Sequence, residues 1–250
     1  ENCGDSTSLF VHSCCFESAL VCMLTNILCD KEVEYESIDS FYGFSDARPS
    51  PGTRFTMKTH RYFDSFYVKN GVLCTAENGP DLKEISFPHW DAESVGCFTP
   101  YPEVLYNFRN FKVKNGASYT LLARPDAVMA QNIQRSKKSS ENATEKPNFE
   151  KLIQKADKSN YTGPDSEDRE KQKFFIGVQA IADETKKVSQ IELTGLDMYG
   201  LTAALIVAAV EYFGKHEVDF QGVKCISEIW DSKTVLNELS ESYQLEQYTA

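Results

Sequence analysis

The sequence lacks the short signatures that announce many enzymes. No G-x-G-x-x-G follows a strand and no G-x-x-x-x-G-K-[ST] occurs, so no phosphate-cradling loop is visible. None of the eight cysteines forms a C-x-x-C pair, and no histidine follows them at zinc-finger spacing, which disfavours a metal site. The four histidines, His12, His60, His89 and His216, fit no catalytic signature. Basic charge is short as well. Lys and Arg number 26 against 37 Asp and Glu, a net charge of -11, which argues against nucleic acid, where a basic face is the usual footprint, and disfavours anionic membranes. There is no apolar run of about 20 residues and no basic-plus-apolar leader, so the expectation is a soluble chain without a membrane span. A chain of 250 residues needs no disulfide staples, so a reducing compartment is expected, the cytoplasm or the mitochondrial matrix. The sequons at Asn142 and Asn160 then read as chance matches.

What is present centres on residues 186–214. Val188, Gln190, Glu192 and Thr194 alternate with Ser189, Ile191 and Leu193, the period of a strand. Gly195 breaks the pattern and Asp197 stands at a helix N-cap position. Met198 to Phe213 is apolar almost all round, and Gly214 supplies a stop. Such a helix is expected to be buried on nearly every side, as the centre of the domain or, in a second reading, as a dimer seam.

The rest of the chain reads in order. Ser8–His12 is a short strand, Ser13 to Cys15 a turn, and Phe16–Cys29 a helix with Phe16, Leu20, Met23, Leu24, Ile27 and Leu28 at helical spacing. Val33–Phe44 is a strand, 45–53 a loop and 54–65 a helix. Asn70-Gly71 marks a hairpin between 66–68 and 72–74. Asp81 to Tyr106 predicts irregular, aromatic-rich packing. A strand is expected within Val104–Val113 and another at Tyr119–Ala123, with Asn115-Gly116 as the turn between them. Residues 135–162 form a polar, exposed connection, with a short helix at 148–158. Phe174–Ala182 is a long apolar strand that turns back antiparallel into Ile191–Leu193. A short strand at Gly222–Ile226 and a helix at Ser232–Glu241 close the chain. The class is α+β: a mixed, largely antiparallel sheet with helices mainly on one face, preceded by one βα unit.

Candidate chemistry is sparse. His12 near Cys14 and Cys15 raises a Cys/His nucleophile, against a packed strand-end histidine. Glu17 opens a helix, where its charge suits the dipole or touches a ligand. Pro49 to Thr53 is an ordinary turn or a loop that offers amides to an anion. Trp90 and its aromatic neighbours read as core before cofactor box. Composition and spacing alone stop at an α+β domain without a complete active site.

Several stretches together go further. Val11 to Leu20 (VHSCCFESAL), Ser50 to Thr53 (SPGT), Gly163 to Arg169 (GPDSEDR), Tyr199 to Ala203 (YGLTA) and Asp219 to Gly222 (DFQG) resemble, in order and spacing, segments of the saccharopine dehydrogenase-like oxidoreductases. The resemblance implies that residues 1–30 are the last βα unit of a Rossmann domain and 31–250 the substrate and dimerisation domain. It implies a substrate cleft lined by Cys15, Glu17, Gly52 and Thr53, with catalytic residues unassigned. NAD(P) is implied for a complete family member, held by a nucleotide-binding half that this chain is expected to lack, so the chain alone is expected to be inactive. The expected partner is a second copy or that separate half. Cys15 stands where the family has a turn glycine and Glu17 where it has the following acid, and Asp219 and Gly222 also depart. These departures favour a second reading, a non-catalytic structural or partner-binding subunit derived from the family.

Overall fold

One strand organises the fold in the computed structural model, which describes residues 9–12, 15–59, 65–76, 81–90, 93–99, 101–136, 162–215 and 222–249. This strand, β2 (Glu34–Ser45), pairs antiparallel with β8 (Lys173–Ala182) along its whole length. Its other edge is shared by β6 (Lys112–Asn115) and β7 (Ser118–Ala123), both parallel to it. With β9 (Val188–Leu196), β5 (Ser94–Phe98) and β11 (Glu246–Thr249), the order is β11-β9-β8-β2-β7-β5. The expected mixed, largely antiparallel sheet is what forms.

The period of two sorts the side chains into two layers. Phe174, Ile176, Val178 and Ala180 of β8 join Ile38 and Tyr42 of β2 on one face. Phe175 and Phe41 join Tyr119 and Leu121 of β7 on the other. The first face carries the helices: α1 (Phe16–Leu28), α3 (Glu103–Asn110), α4 (Arg124–Ser136), α6 (Met198–Lys215) and α7 (Ser232–Tyr243). Two helices lie at its rim, α2 (Pro51–Thr59) and α5 (Ser166–Lys171). The second face is covered by residues 81–90 without regular structure. Phe87 packs on Phe41 and Phe175, and Trp90 lies so close to Gly43 that an added Cβ would clash with its ring. Lys83 bonds the buried Asp39 and lies over the rings of Phe41 and Tyr119. The irregular aromatic packing expected there is present, although 94–98 and 103–110 are a strand and a helix.

Two small pairs stand apart. The hairpin of β3 (Ser65–Lys69) and β4 (Val72–Ala76) turns at Asn70 (φ 53°) and Gly71 (φ 72°). These left-handed angles suit the Asn-Gly turn. β1 (Leu9–His12) pairs in parallel with β10 (Gly222–Cys225).

Four expectations need correction. Helix α6 is not the buried centre. Ile206, Val207 and Val210 are 47, 56 and 66% exposed, whereas Ala19 through Leu24 of α1 are all at 0%. α1 packs against β8 and β9 below and α3, α6 and α7 around it, so it holds the central place. An all-round apolar helix signals an apolar surrounding, and the sequence does not say which helix receives it. Asn115-Gly116 is not a hairpin turn, because β6 and β7 both pair with β2 and Gly116 bridges Val68 instead. α2 begins at Pro51, three residues earlier than read, because Ser50 caps it: its Oγ accepts the Thr53 N–H at 3.1 Å, and Pro51 fits the first helical position. α4 and β11 had no counterpart in the sequence reading. Expectations for Ser13 and Cys14, for residues 60–64 of the second helix, for 137–161 with both sequons, and for 219–221 lie outside the described residues, as do the side chains of His12, His60 and His216, and Ser65, expected to end that helix, begins β3 instead. Among the described residues, no helix is long and apolar enough to cross a membrane.

Candidate functional site

The segments singled out in sequence meet at the first turn of α6. Asp197 holds that turn, accepting the Gly200 N–H at 2.9 Å from a left-handed conformation (φ 50°). One residue on this turn reaches α1. Cys15 is the N-cap of α1 but gives no side-chain cap, and Thr202 Oγ1 accepts the Phe16 N–H at 3.2 Å in its place. A second reaches α2. The Tyr199 hydroxyl accepts the Ser50 N–H at 2.7 Å and lies 3.1 Å from Thr53 Oγ1, which is itself 3.1 Å from Ser50 Oγ. Gly163, at φ 99°, packs on Ser50 and Pro51, where an added Cβ would meet Pro51 Cδ at 3.4 Å. Behind it, Arg48 pairs with Asp168 at 3.0 Å, Gln172 donates to the Arg48 carbonyl at 3.3 Å, and Arg169 faces Asp197 at 3.5 Å. Three helix N-termini, those of α1, α2 and α6, therefore converge. Their aligned peptide dipoles favour negative charge on a bound group.

Of the expected site residues, Thr53 enters this network through its hydroxyl and Gly52 occupies the exposed first turn of α2. Cys15 stands at the surface. Crowding by protein and then the Glu17 carboxylate push its thiol up to about 11, so it is no thiolate nucleophile at neutral pH. Glu17 follows it in the first turn of α1. Burial chiefly, with Glu103 nearby, raises its carboxyl above the usual range. Two cavities, of about 380 and 320 Å³, lie away from these four residues.

The group missed in sequence is Glu103. Its carboxyl is fully buried at the first turn of α3. Ser118 donates to Oε1 at 2.6 Å, the Ser40 hydroxyl lies 3.2 Å from the same oxygen, and Ser18 donates to Oε2 at 3.3 Å. Tyr42 lies beside it with no hydrogen-bond partner at normal geometry, and Tyr101 packs on Tyr42 at 4.2 Å between centroids. Burial raises the carboxyl pKa of Glu103, opposed by these hydroxyls. Glu17, Glu103 and Tyr101 thus form a desolvated acidic group under the N-terminus of α1. An acid after Pro102 at a helix start reads in sequence as a dipole partner, and nothing local marks it as caged.

No protein-family model and no curated protein matches the chain. Among solved structures, it is similar to a histidine-tagged apo saccharopine dehydrogenase (L-Glu forming) from Saccharomyces cerevisiae, at 12% identity and a TM-score of 0.52, covering 94% of this chain and 72% of that one. A likeness this distant concerns the fold, and its span does not single out that enzyme's C-terminal half. The chain has a saccharopine dehydrogenase-like α+β fold.

Proposed function

We propose that this chain is the substrate-side and dimerisation domain of a saccharopine dehydrogenase-like NAD(P)-dependent oxidoreductase. Hydride would pass between the cofactor and a carbon–nitrogen or carbon–oxygen bond in a cleft walled by Cys15, Gly52, Thr53 and Tyr199. The observation that supports this most is the convergence on α6: Thr202 on the α1 turn, Tyr199 on the Ser50–Thr53 loop, and Gly163 against that loop. These contacts join four of the five segments that carry the resemblance. Three converging helix N-termini also suit a substrate with carboxylate groups. For the nucleotide itself the fit is incomplete. The chain has no Gly-rich phosphate loop, and the arginines described around this turn, Arg48 and Arg169, face the carboxylates of Asp168 and Asp197. On this reading the dinucleotide would sit on a separate domain.

The direct check is a titration of the chain with NADH and NADPH, followed by nicotinamide fluorescence. The expected outcome is no saturable binding by this chain by itself. Tight, saturable binding would overturn the division of labour between two domains.

A non-catalytic, partner-binding relative is the second reading, and the exposed ridge of α6 favours it. Ala203, Ile206, Val207 and Val210 recur at i, i+3, i+4 and i+7 on the solvent side. Both readings expect the ridge to be covered. Val207→Glu combined with Val210→Glu should convert a self-associated species to monomer on a sizing column while leaving the circular dichroism spectrum unchanged. A wild-type chain that elutes as monomer across the concentration range removes the dimer from both.

A further inference from the structure

The strand β11 is fastened to the second face of the sheet by a small cluster of side chains away from the α6 turn. β11 is a four-residue edge strand on β9, and its side chains are exposed apart from the half-buried Tyr248. So short an edge ladder opens locally at little cost unless side chains tie it down. Tyr248 stands directly opposite Glu192 of β9, so the two side chains share one face. His89, from the irregular segment that covers this face, lies over both. Its ring stacks flat on the Tyr248 ring, with 3.5 Å between centroids and 8° between planes. Its backbone N–H donates to Glu192 Oε2 at 3.2 Å, and its Nδ1 lies 3.2 Å from the same oxygen. The Glu192 carboxylate is only 2% exposed, and among the described residues its hydrogen-bond contacts are these two with His89.

We infer that His89, Glu192 and Tyr248 form a clasp that makes β11 and the His89 end of the 81–90 cover open and close together. Glu192 sets the position of the imidazole, because one carboxylate oxygen meets both its backbone N–H and its Nδ1, which leaves the flat of the ring to Tyr248. Tyr248 is placed by its pairing with β9, and its hydroxyl donates to Glu246 Oε2 of the same strand at 2.5 Å. When β11 leaves β9, His89 loses the ring it lies on. When the cover lifts at His89, Tyr248 loses its half-burial and the buried carboxylate loses its donor. The stack therefore belongs to both segments, and such coupling is reciprocal: each tightens the other by the same factor. A stacked ring pair supports about a two- to tenfold factor in a local opening equilibrium. The other end of the cover is held independently, where Lys83 and Gly96 exchange two backbone hydrogen bonds at 2.9 Å and Lys83 pairs with Asp39. The opening that the clasp governs is confined to the His89 end.

The test is amide hydrogen exchange on the whole chain, read by mass on peptides covering 246–249 and 86–90 and taken relative to the intrinsic rate of each sequence. In His89→Ala the amides of 246–249 should exchange about two- to tenfold faster. In Tyr248→Ala those of 86–90 should speed up by the same factor. Tyr248→Phe keeps the ring and should leave 86–90 as in the wild type. Unchanged exchange at 246–249 in His89→Ala, or at 86–90 in Tyr248→Ala, would overturn the proposal. So would loosening that reaches α1 and β8 to the same extent, since that reports lost global stability and no local clasp. Equal loosening in Tyr248→Phe would overturn it as well, because the hold would then lie in the hydroxyl and not in the stack.

Discussion

Glu103→Ala is expected to cost about 3–5 kcal/mol of folding stability. The substitution removes the acceptor for hydroxyls on three elements, Ser18 of α1, Ser40 of β2 and Ser118 of β7, at a site without solvent. Each buried hydroxyl left unpaired costs about 1–3 kcal/mol, and the lost side chain leaves a void. Ser40 and Ser118, 2.9 Å apart, relieve part of that by bonding one another. Glu103→Gln keeps an acceptor at the same place and should cost less, about 1–2 kcal/mol. Wild type also separates from both variants by pH, because neither variant keeps the titrating carboxyl. Burial raises the carboxyl pKa of Glu103 in the folded state, so the folded chain holds its proton longer than the unfolded chain does. The stabilisation this gives is complete below the ordinary glutamate value of about 4.3 and is lost as pH rises through the folded value. Glu17 is shifted in the same direction, so it reinforces the trend. Urea unfolding from about pH 4 to pH 8 should show wild type losing its advantage over Glu103→Gln as pH rises. An advantage that grows with pH would mean that Glu103 is held ionised by its hydroxyls and that burial is the weaker influence.

The second large effect separates the two apolar helices. Leu24→Ala in α1 should cost about 2–5 kcal/mol, because Leu24 is at 0% exposure and its neighbours are fixed on the sheet. Val207→Ala in α6 should cost no more than about 0.5 kcal/mol when measured dilute enough to keep the chain monomeric, because its side chain is 56% exposed. If the two costs were equal, or the order reversed, α6 would be the interior helix after all. The same pair repeated at high protein concentration should narrow the gap, since any covering surface on α6 then contributes to its stability.

These two helices show where sequence reasoning reached and where it stopped. The β8–β9 hairpin was legible because its information is local: a period of two, a turn at 183–185, and a return within one hairpin. The caps at Asp165, Asp197 and Asp231 are local as well, and the one at Asp197 is legible from its place just after Gly195. Burial of α1 against exposure of α6 is not local. Both are mostly apolar, and the difference lies in how many elements surround each. Glu103 is the same problem in polar form. Its three serine partners stand 15, 63 and 85 residues away, and none of the four residues forms a pattern with its own neighbours. The SPGT and YGLTA stretches were found by likeness of short segments, yet what makes them one site is the Tyr199 hydroxyl, which only the fold could bring to Ser50 and Thr53. The ambiguity over 104–113 has a similar origin. Helix α3 gives way to β6 after a single residue, Phe111, and one apolar stretch serves both.

The pairing of β2 carries a consequence for how the chain reaches this structure. Phe41 lies opposite Gly177 on one edge and Tyr119 on the other, and β1 waits for β10, with Leu9 opposite Gly222. Nearly every neighbour of the central strand is thus made long after it. On a ribosome, β2 emerges with an unpaired, apolar edge and keeps it until β8 has been synthesised, so this chain offers chaperones a long-lived binding site early in its life. Slow, largely post-translational closure is the kinetic signature to expect of a sheet whose central strand is written first and whose flanking strands follow long after it.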